Sequence, residues 1–324
     1  MLRKVTRSDN SEGRNGVGPL IPPLTESQRP LRQQVFELVR AAGLIPRVQL
    51  AKDLGVSPAS VTTISSELIE AGLIEEVAAP RDNDAGRGRP AVALGVRARA
   101  HRVAGMKLSD REHTAVVVDF AGKLIADDAI PRRPGPMSLP EILEAIETLL
   151  DRVCAKAGVE RSDLSAVGIG LPGFVDCAEG TVFWSSILAE RDVPIAAAAT
   201  GRLGLPVYVD NDANLVALAE LWFGAGRSLS DFAVVTIEHG VGMGFVMNHR
   251  IYRGAQRLGM ELGHMKVQLD VALCRCGQRG CLEAYVADYA LAREATTALN
   301  WGHKESQPIN VLLESLYDHA KAGN

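Results

Sequence analysis

Residues 259–283, GMELGHMKVQLDVALCRCGQRGCLE, decide how the second half of the chain is interpreted. Three of the five cysteines, Cys274, Cys276 and Cys281, lie there within eight residues, and His264 precedes the first of them by ten positions. Thiolate and imidazole are the usual ligands of tetrahedral zinc, and three Cys with one His complete a closed structural site. Buried free thiols or a disulfide are the alternatives, but cysteines separated by one residue bridge poorly. The stretch therefore predicts structural Zn²⁺.

Charge is nearly balanced over the 324 residues, at net −4 with a pI of 6.0. Residues 1–100 hold 14 basic and 11 acidic side chains, against 21 and 28 in the remainder, which fits a small nucleic-acid-binding module joined to a larger domain. No apolar run approaches the roughly 18 residues of a membrane span, and the polar N-terminus lacks the apolar core of an export signal. Clustered, metal-suited cysteines indicate a reducing, cytoplasmic location.

The front of the chain predicts a winged helix-turn-helix over residues 29–97. Residues 1–28 are polar, rich in Gly, Ser, Asn and Pro, and are predicted to form a disordered tail. Three helices follow, the first from Pro30 until Gly43 ends it and the others at 47–54 and 58–71, and two strands come after them. Ala51, Gly55 and Val61 have the spacing that packs the two helices of a helix-turn-helix around a tight turn.

The third helix and the predicted wing supply the DNA-contact candidates. Small polar side chains suit close approach to base edges and phosphates, and those assigned to this helix are Ser57, Ala59, Ser60, Thr62, Thr63 and Ser66. In the wing, Arg87 and Arg89 flank Gly88, a pattern suited to a narrow, A·T-rich minor groove. A lone RGR is usually a solvated turn, and three helices alone also fit a protein-docking module. The position of the arginines in a wing favours DNA.

Residues beyond 98 show the pattern of an α/β domain. Residues 101–130 predict a hairpin turned at 119–122, and residues 139–157 predict an amphipathic helix. The strand at 206–209 runs into the polar turn DNDAN at 210–214. Open α/β sheets bind ligands at the carboxyl ends of their strands, and helix capping alone would not need four polar residues. The turn is therefore a ligand-site candidate.

Three motifs, taken in order, resemble the ROK family of sugar kinases and sugar-responsive repressors. They are GIGLPGFVD at 168–176, VDNDAN at 209–214 and the Cys/His stretch at 259–283. The resemblance covers about residues 100–285. It implies an actin-like (ribonuclease H-like), two-lobed, ATPase-type α/β domain over residues 98–324. The front of the chain, including its GRGRP wing, resembles the winged helix of the repressor branch of the family.

The resemblance also implies a sugar site. Five side chains would hydrogen-bond the hydroxyls of one sugar or sugar phosphate, namely Asn211, Asp212, Glu261, His264 and Glu283. In the kinases of the family the residue at Asp212 is the catalytic base. Carboxylates suit a polyhydroxylated ring because charge-assisted hydrogen bonds are the stronger ones. His264 would use one ring nitrogen for zinc and the other for the sugar.

Both phosphate loops depart from the kinase pattern. The DxGGT of the kinases corresponds to KLSDR at 107–111, and their GTG corresponds to EHG at 238–240. A phosphate loop needs bare backbone N–H groups, and Asp110 and Glu238 would repel an anion. The sequence therefore predicts no phosphoryl transfer. Only 43 residues follow Cys281, so the second lobe is expected to be incomplete at its C-terminus, with an unpaired sheet edge.

These expectations combine into a homodimeric transcriptional repressor that binds operator DNA and a sugar effector. Two other functions remain open at this point. One is a sugar kinase with an appended DNA-binding module, for which ATP-dependent turnover would be decisive. The other is a DNA-binding domain whose effector domain no longer responds to sugar.

Overall fold

The computed structural model describes residues 15–20, 29–78, 92–254, 260–298 and 309–323. The chain divides into two compact units. The first comprises Met1–Asp212 and Ala219–Ser230, and the second comprises Ala213–Leu218 and Asp231–Asn324. Within the described part of the chain, no helix has both the length and the apolar character needed to cross a membrane.

The first unit begins with three helices and a small antiparallel sheet. The helices are α1 (Leu31–Ala42), α2 (Arg47–Leu54) and α3 (Pro58–Glu70). The strands, in the spatial order β1-β3-β2, are β1 (Leu44–Pro46), β2 (Ile74–Ala78) and β3 (Val92–Val96). Residues 79–91, which contain the predicted wing arginines Arg87 and Arg89, lie outside the described residues.

Local sequence explains where these helices begin and end. Gly43 ends α1 and Gly55 ends α2, both with positive φ, at 80° and 64°. Ser57 caps α3 as predicted, because its hydroxyl accepts a hydrogen bond from the Ser60 amide at 3.1 Å. Val61 is fully buried in a core that α1, α2 and the sheet complete. Thr62 and Thr63 remain exposed.

A five-stranded mixed sheet follows in the same unit, in the order β10-β7-β4-β5-β6. Its strands are β4 (Arg102–Leu108), β5 (Glu112–Asp119), β6 (Leu124–Pro131), β7 (Ala166–Leu171) and β10 (Val207–Asn211). The prediction of a single hairpin for residues 101–130 is wrong, since β4, β5 and β6 form a three-stranded meander. Strands β7 and β10 run parallel to β4, and β7 is almost wholly apolar, as a strand covered on both faces requires.

Helices α4 (Leu139–Ala157), with the predicted bounds, and α5 (Ile195–Leu203) complete this sheet domain. One face of α4 is fully buried with the sheet residues, through Ile142, Ile146, Leu149, Leu150 and Val153. A hairpin of β8 (Phe174–Asp176) and β9 (Thr181–Trp184) follows β7. Helix α6 (Asp212–Phe223) begins directly after β10, so residues 210–214 form a strand-to-helix junction and not the separate turn that was predicted.

The second unit contains a small antiparallel sheet and short helices. The sheet consists of β11 (Phe232–Ile237), β12 (Val241–Met247) and β13 (Arg250–Ile251). The helices after it are α7 (Glu283–Val286), α8 (Asp288–Ala298) and α9 (Ile309–Lys321). The continuous helix predicted over residues 282–299 is wrong, because extended backbone at Ala287, with ψ of 159°, separates α7 from α8.

Two glycines of β12 leave room for a neighbouring stretch of backbone to pack closely against the strand. A Cβ on Gly244 would lie 2.5 Å from the Ala213 carbonyl oxygen and 2.6 Å from the Ala217 Cβ. A Cβ on Gly242 would lie 3.0 Å from the Ala213 Cβ. These two glycines therefore let the strand approach the Ala213–Leu218 stretch of the same unit closely.

Candidate functional site

The cysteine and histidine side chains predicted as metal ligands form one cluster in the second unit. The ligand atoms of His264, Cys274, Cys276 and Cys281 all lie within 4.8 Å of one another. All five cysteines of the chain are free thiols, which removes the disulfide alternative. Soft thiolate and imidazole donors in a four-ligand set fit a tetrahedral metal ion, so the cluster could hold one.

The cluster sits in a segment with little regular structure. Between Met260 and Leu282 the described backbone forms one short turn of 3₁₀ helix, Leu262–His264, and two isolated bridges, Lys266 to Cys281 and Leu273 to Arg279. Cys274 and Cys281 are buried with Ala284, while five apolar side chains of the segment are exposed, namely Met265, Val267, Leu269, Val271 and Leu273. The buried core of this segment is therefore made largely of its sulfur atoms.

Charged and phenolic groups surround the thiols. The Lys266 ammonium donates to the Cys281 sulfur at 3.1 Å. Burial raises the pKa of the Cys274 thiol to about 12, so a metal ion must displace a proton there at neutral pH. The Tyr289 hydroxyl lies 3.8 Å from the Cys274 sulfur. Sequence reasoning missed Lys266 and Tyr289, because neither is a metal ligand.

Two carboxylates predicted for sugar binding flank this cluster. Glu283, 8% exposed, accepts hydrogen bonds from the Val241 amide at 3.3 Å and the Cys274 thiol at 3.4 Å. Glu261 lies 3.9 Å from the His264 Nε2, while the His264 Nδ1 lies 3.7 Å from the Cys274 sulfur. His264 thus directs one ring nitrogen to the thiols and the other to a carboxylate. Burial raises the pKa of the Glu261 carboxyl, and His264 partly offsets this rise.

The other two predicted sugar residues lie in the first unit, at the carboxyl ends of parallel strands. Asn211 is the last residue of β10, opposite Leu171 of β7, and Asp212 opens α6. The Asn211 side-chain amide donates to the Gly173 carbonyl at 3.0 Å, which fixes the side chain against the loop after β7. Gly173 is needed there because its φ is +119° and a Cβ would lie 2.1 Å from the Trp184 carbonyl oxygen. This is the sheet edge where open α/β folds bind ligands.

The DNA-contact candidates on α3 are polar and mostly exposed. Ser57, Ala59, Thr62, Thr63 and Ser66 are exposed, and Ser60 is half-buried. The hydroxyls of Thr62 and Thr63 donate to the carbonyls of Pro58 and Ala59, one turn earlier in the helix. Their oxygen atoms keep acceptor capacity for an outside donor.

The ROK family profile matches residues 104–322. The chain belongs to the ROK family. It is 32% identical to a putative xylose repressor of Caldicellulosiruptor sp. (strain Rt8B.4) over 82% of this chain and 65% of that protein. It therefore spans about two thirds of the length of that relative.

Two solved structures of ROK proteins frame the comparison. A ROK family transcriptional regulator, described as a homologue of the Escherichia coli Mlc protein, superposes with a TM-score of 0.67 and 29% identity, over 84% of this chain and 68% of that one. A ROK family glucokinase from Streptomyces griseus, in complex with glucose and AMPPNP, gives a TM-score of 0.55 and 32% identity over 62% of each chain. The regulator thus matches a larger part of this ROK chain than the kinase does.

Three backbone amides have internal partners in the two loops that the family resemblance predicts to correspond to kinase phosphate loops. In the turn between β4 and β5, the Ser109 amide donates to the His113 Nδ1 at 3.4 Å, and the Glu112 amide donates to the Ser109 hydroxyl at 3.4 Å. In the second unit the Glu238 amide donates to the Gly240 carbonyl at 2.9 Å. These amides already have partners that a phosphate would have to displace.

Proposed function

We propose that this ROK protein is a sugar-responsive, DNA-binding transcriptional repressor. The observation that carries the proposal is the module of three helices and an antiparallel sheet that precedes the ROK domain. Its order of elements and the polar exposed face of α3 are typical of a winged helix-turn-helix. A repressor among the relatives and a regulator among the solved structures support the same function.

DNA binding is assigned to α3 and to the wing. Helix α3 would enter the major groove with its Ala and Thr methyl groups against thymine methyls and its hydroxyls toward phosphates or base edges. We expect a homodimer, because helix-turn-helix proteins read paired half-sites about one helical turn apart. Light scattering of the free protein and of its DNA complex would measure both stoichiometries.

The wing arginines provide a specific test. Replacing Arg87 and Arg89 together by Ala should weaken operator binding and reduce the slope of log K against log salt by about one to two, because minor-groove arginines displace counterions. Arg202→Ala, which removes an arginine paired with Glu147, is the matched control. An unchanged salt slope in the double variant would exclude the minor-groove contact.

Sugar binding is assigned to the five residues that the family resemblance implies, Asn211, Asp212, Glu261, His264 and Glu283. Zinc at His264, Cys274, Cys276 and Cys281 would act structurally, by fixing the backbone that carries Glu261 and Glu283. The four donor atoms within 4.8 Å of one another support this assignment.

The ROK glucokinase likeness makes a kinase the second candidate. Asp212 is present at the position of the kinase base, but its acceptor oxygens also suit simple hydrogen bonding to a hydroxyl. Lys107, Asp110 and Glu238 stand where the kinases have their metal-side Asp and phosphate-loop residues, so we propose that no phosphoryl transfer occurs. Sustained ADP production from ATP with any hexose, measured in a coupled assay, would overturn this.

The central experiment measures DNA and sugar together. A duplex is recovered by selection from a random library with the full-length chain, and its Kd is measured by fluorescence anisotropy. The measurement is repeated with D-xylose, D-glucose and N-acetyl-D-glucosamine, each free and phosphorylated. We expect one of these sugars to change the Kd for DNA. Specific DNA binding that no sugar alters would instead favour a constitutive DNA binder.

A further inference from the structure

A short segment at the front of the chain connects the predicted DNA-binding module to the ROK domain within the first unit. Residues 15–20, here called the strap, lie inside the tail that composition predicted to be disordered. They nevertheless make defined hydrogen bonds, which corrects that expectation for these six residues. Val17 pairs with Arg40 of α1, and Gly18 donates its amide to the Trp222 carbonyl at 2.8 Å. The backbone of the strap thus forms hydrogen bonds both to α1 and to the end of α6.

Two arginine side chains donate hydrogen bonds to the backbone of the strap. Arg227, just beyond α6, donates to the carbonyls of Gly18 at 2.8 Å and Ala41 at 2.6 Å, so it bonds the strap and α1 together. Arg40 of α1 donates to the Val17 carbonyl at 3.2 Å, and its guanidinium lies 4.1 Å from the centre of the Trp222 ring. Both guanidinium groups are partly buried, and a buried charge is costly unless it keeps its partners. Undocking of the strap would therefore remove partners from two partly buried charges.

Steric fit at the strap is tight. A Cβ on Gly16 would lie 1.9 Å from the Arg40 carbonyl oxygen and 2.4 Å from the Gly43 nitrogen. A Cβ on Gly122, in the turn between β5 and β6, would lie 2.7 Å from the Val17 Cγ2. Only glycine therefore fits at Gly16 without moving the strap away from α1.

The helix that the strap contacts is the one that starts at the proposed sugar residue. Helix α6 begins at Asp212 and ends at Phe223, next to Trp222, and both of its ends belong to the first unit. Its 12 residues span about 18 Å as a rigid rod. A displacement of Asp212 along the helix axis would therefore appear at Trp222, where the strap and Arg40 are bonded.

We propose that the strap is the coupling element that transmits sugar occupancy from α6 to helix α1 of the DNA-binding module, through Trp222, Arg227 and Arg40. This inference rests on the proposed function, since it names how that function is regulated. Coupling requires two arrangements that both ligands bias, and docking of the strap defines one of them. Sugar that moves α6 changes the bonds available to the strap, and the strap in turn changes the position of α1.

Gly16→Ala tests the strap by adding a single methyl group. The matched control is Gly201→Ala in α5, where the added Cβ meets nothing within 4 Å. For each protein, the Kd for the selected duplex is measured with and without the sugar of the panel that changes it most. A typical coupling factor is about 5–150-fold, and in Gly16→Ala it should fall to about one while DNA and sugar each still bind. Gly201→Ala should keep the wild-type factor.

A second variant and a second readout protect the test against misfolding. Arg227→Ala removes the bonds to Gly18 and Ala41, and should lower the coupling factor in the same way, with Arg202→Ala as its control. Hydrogen exchange of residues 15–20 in the full chain should be slow in the wild type and faster in both strap variants. A wild-type coupling factor in Gly16→Ala and Arg227→Ala, both still folded, would overturn the strap proposal. Absence of any sugar effect in the wild type would overturn the proposed function itself, and the strap's coupling role with it.

Discussion

The two groups of proposed sugar residues are held in place by different kinds of interaction. Asn211 and Asp212 lie at a strand-to-helix junction whose strand is paired along its length in a five-stranded sheet. Glu261 and His264 lie in a segment with almost no regular hydrogen bonding, in which the buried side chains include two cysteines. A hydrophobic core of aliphatic residues stabilises the first region. In the second region the buried cluster is much smaller and consists of Cys274, Cys281 and Ala284, so we expect this region to depend on a metal.

The largest predicted effect is the loss of zinc from the second region. Cys276→Ser should abolish zinc binding and disorder residues 260–287, because structural zinc contributes on the order of 10 kcal/mol in small zinc domains. Zinc content by mass spectrometry and hydrogen exchange over this segment would measure both effects. Cys177→Ser, at a half-buried thiol outside the cluster, should retain the metal. Full zinc occupancy in Cys276→Ser would contradict the four-ligand site.

Zinc affinity in the same segment should also rise with pH. Because burial raises the pKa of the Cys274 thiol to about 12, this thiol is protonated in the metal-free protein at neutral pH, and zinc binding must release its proton. Competition with a zinc chelator at about pH 6 and pH 8 should therefore show tighter binding at the higher pH, after correction for the chelator's own protonation.

We expect the stability of the first region to depend on its aliphatic core and not on the metal. Leu149→Ala removes a fully buried side chain of α4 and should cost about 2–5 kcal/mol in the free energy of unfolding, measured by urea denaturation. Zinc content should stay at the wild-type level. Thr148→Ala, at the exposed neighbouring position, is the control and should change little. Loss of zinc from Leu149→Ala would show that the two regions are not independent in stability.

Sequence predicted the two regions with different success, for a physical reason. The bounds of α2 and α4 were predicted because Pro, Gly and Ser residues define their ends locally. The metal cluster was predicted because its ligand types are rare and closely spaced. The break at Ala287 was missed, since Ala is a good helix former and tertiary contacts override its propensity there. The strap was missed because its bonds use backbone atoms, which leave no pattern of side chains.

The two regions should also differ in how zinc removal changes the contribution of their residues to sugar affinity. Asp212→Asn and Glu283→Gln should each weaken binding of the effector sugar by about 10- to 100-fold, as expected when a charge-assisted hydrogen bond worth about 1.5–3 kcal/mol is lost. Isothermal titration calorimetry would measure both. In chelated protein the effect of Glu283→Gln should vanish, because that side chain is no longer positioned, while the effect of Asp212→Asn persists. Sugar affinity that is unchanged by chelation would contradict the structural role of zinc.

The smallest predicted effect is a pH dependence of the free energy of unfolding that arises in the first region alone. The Asp128 side chain, 6% exposed, accepts hydrogen bonds from Arg152 at 2.7 Å and Lys156 at 2.6 Å, and these partners hold the pKa of the carboxyl well below its usual range. A carboxyl with a lowered folded-state pKa stabilises the protein above its unfolded pKa, near 4, and this contribution is lost as the pH falls below that value. Urea denaturation of chelated protein at about pH 7 and pH 3 removes the acid response of the zinc ligands from the comparison. Asp128→Asn should destabilise the protein at the higher pH and matter less at the lower one, and an equal effect at both would show that the ionised carboxylate does not stabilise α4 on the sheet.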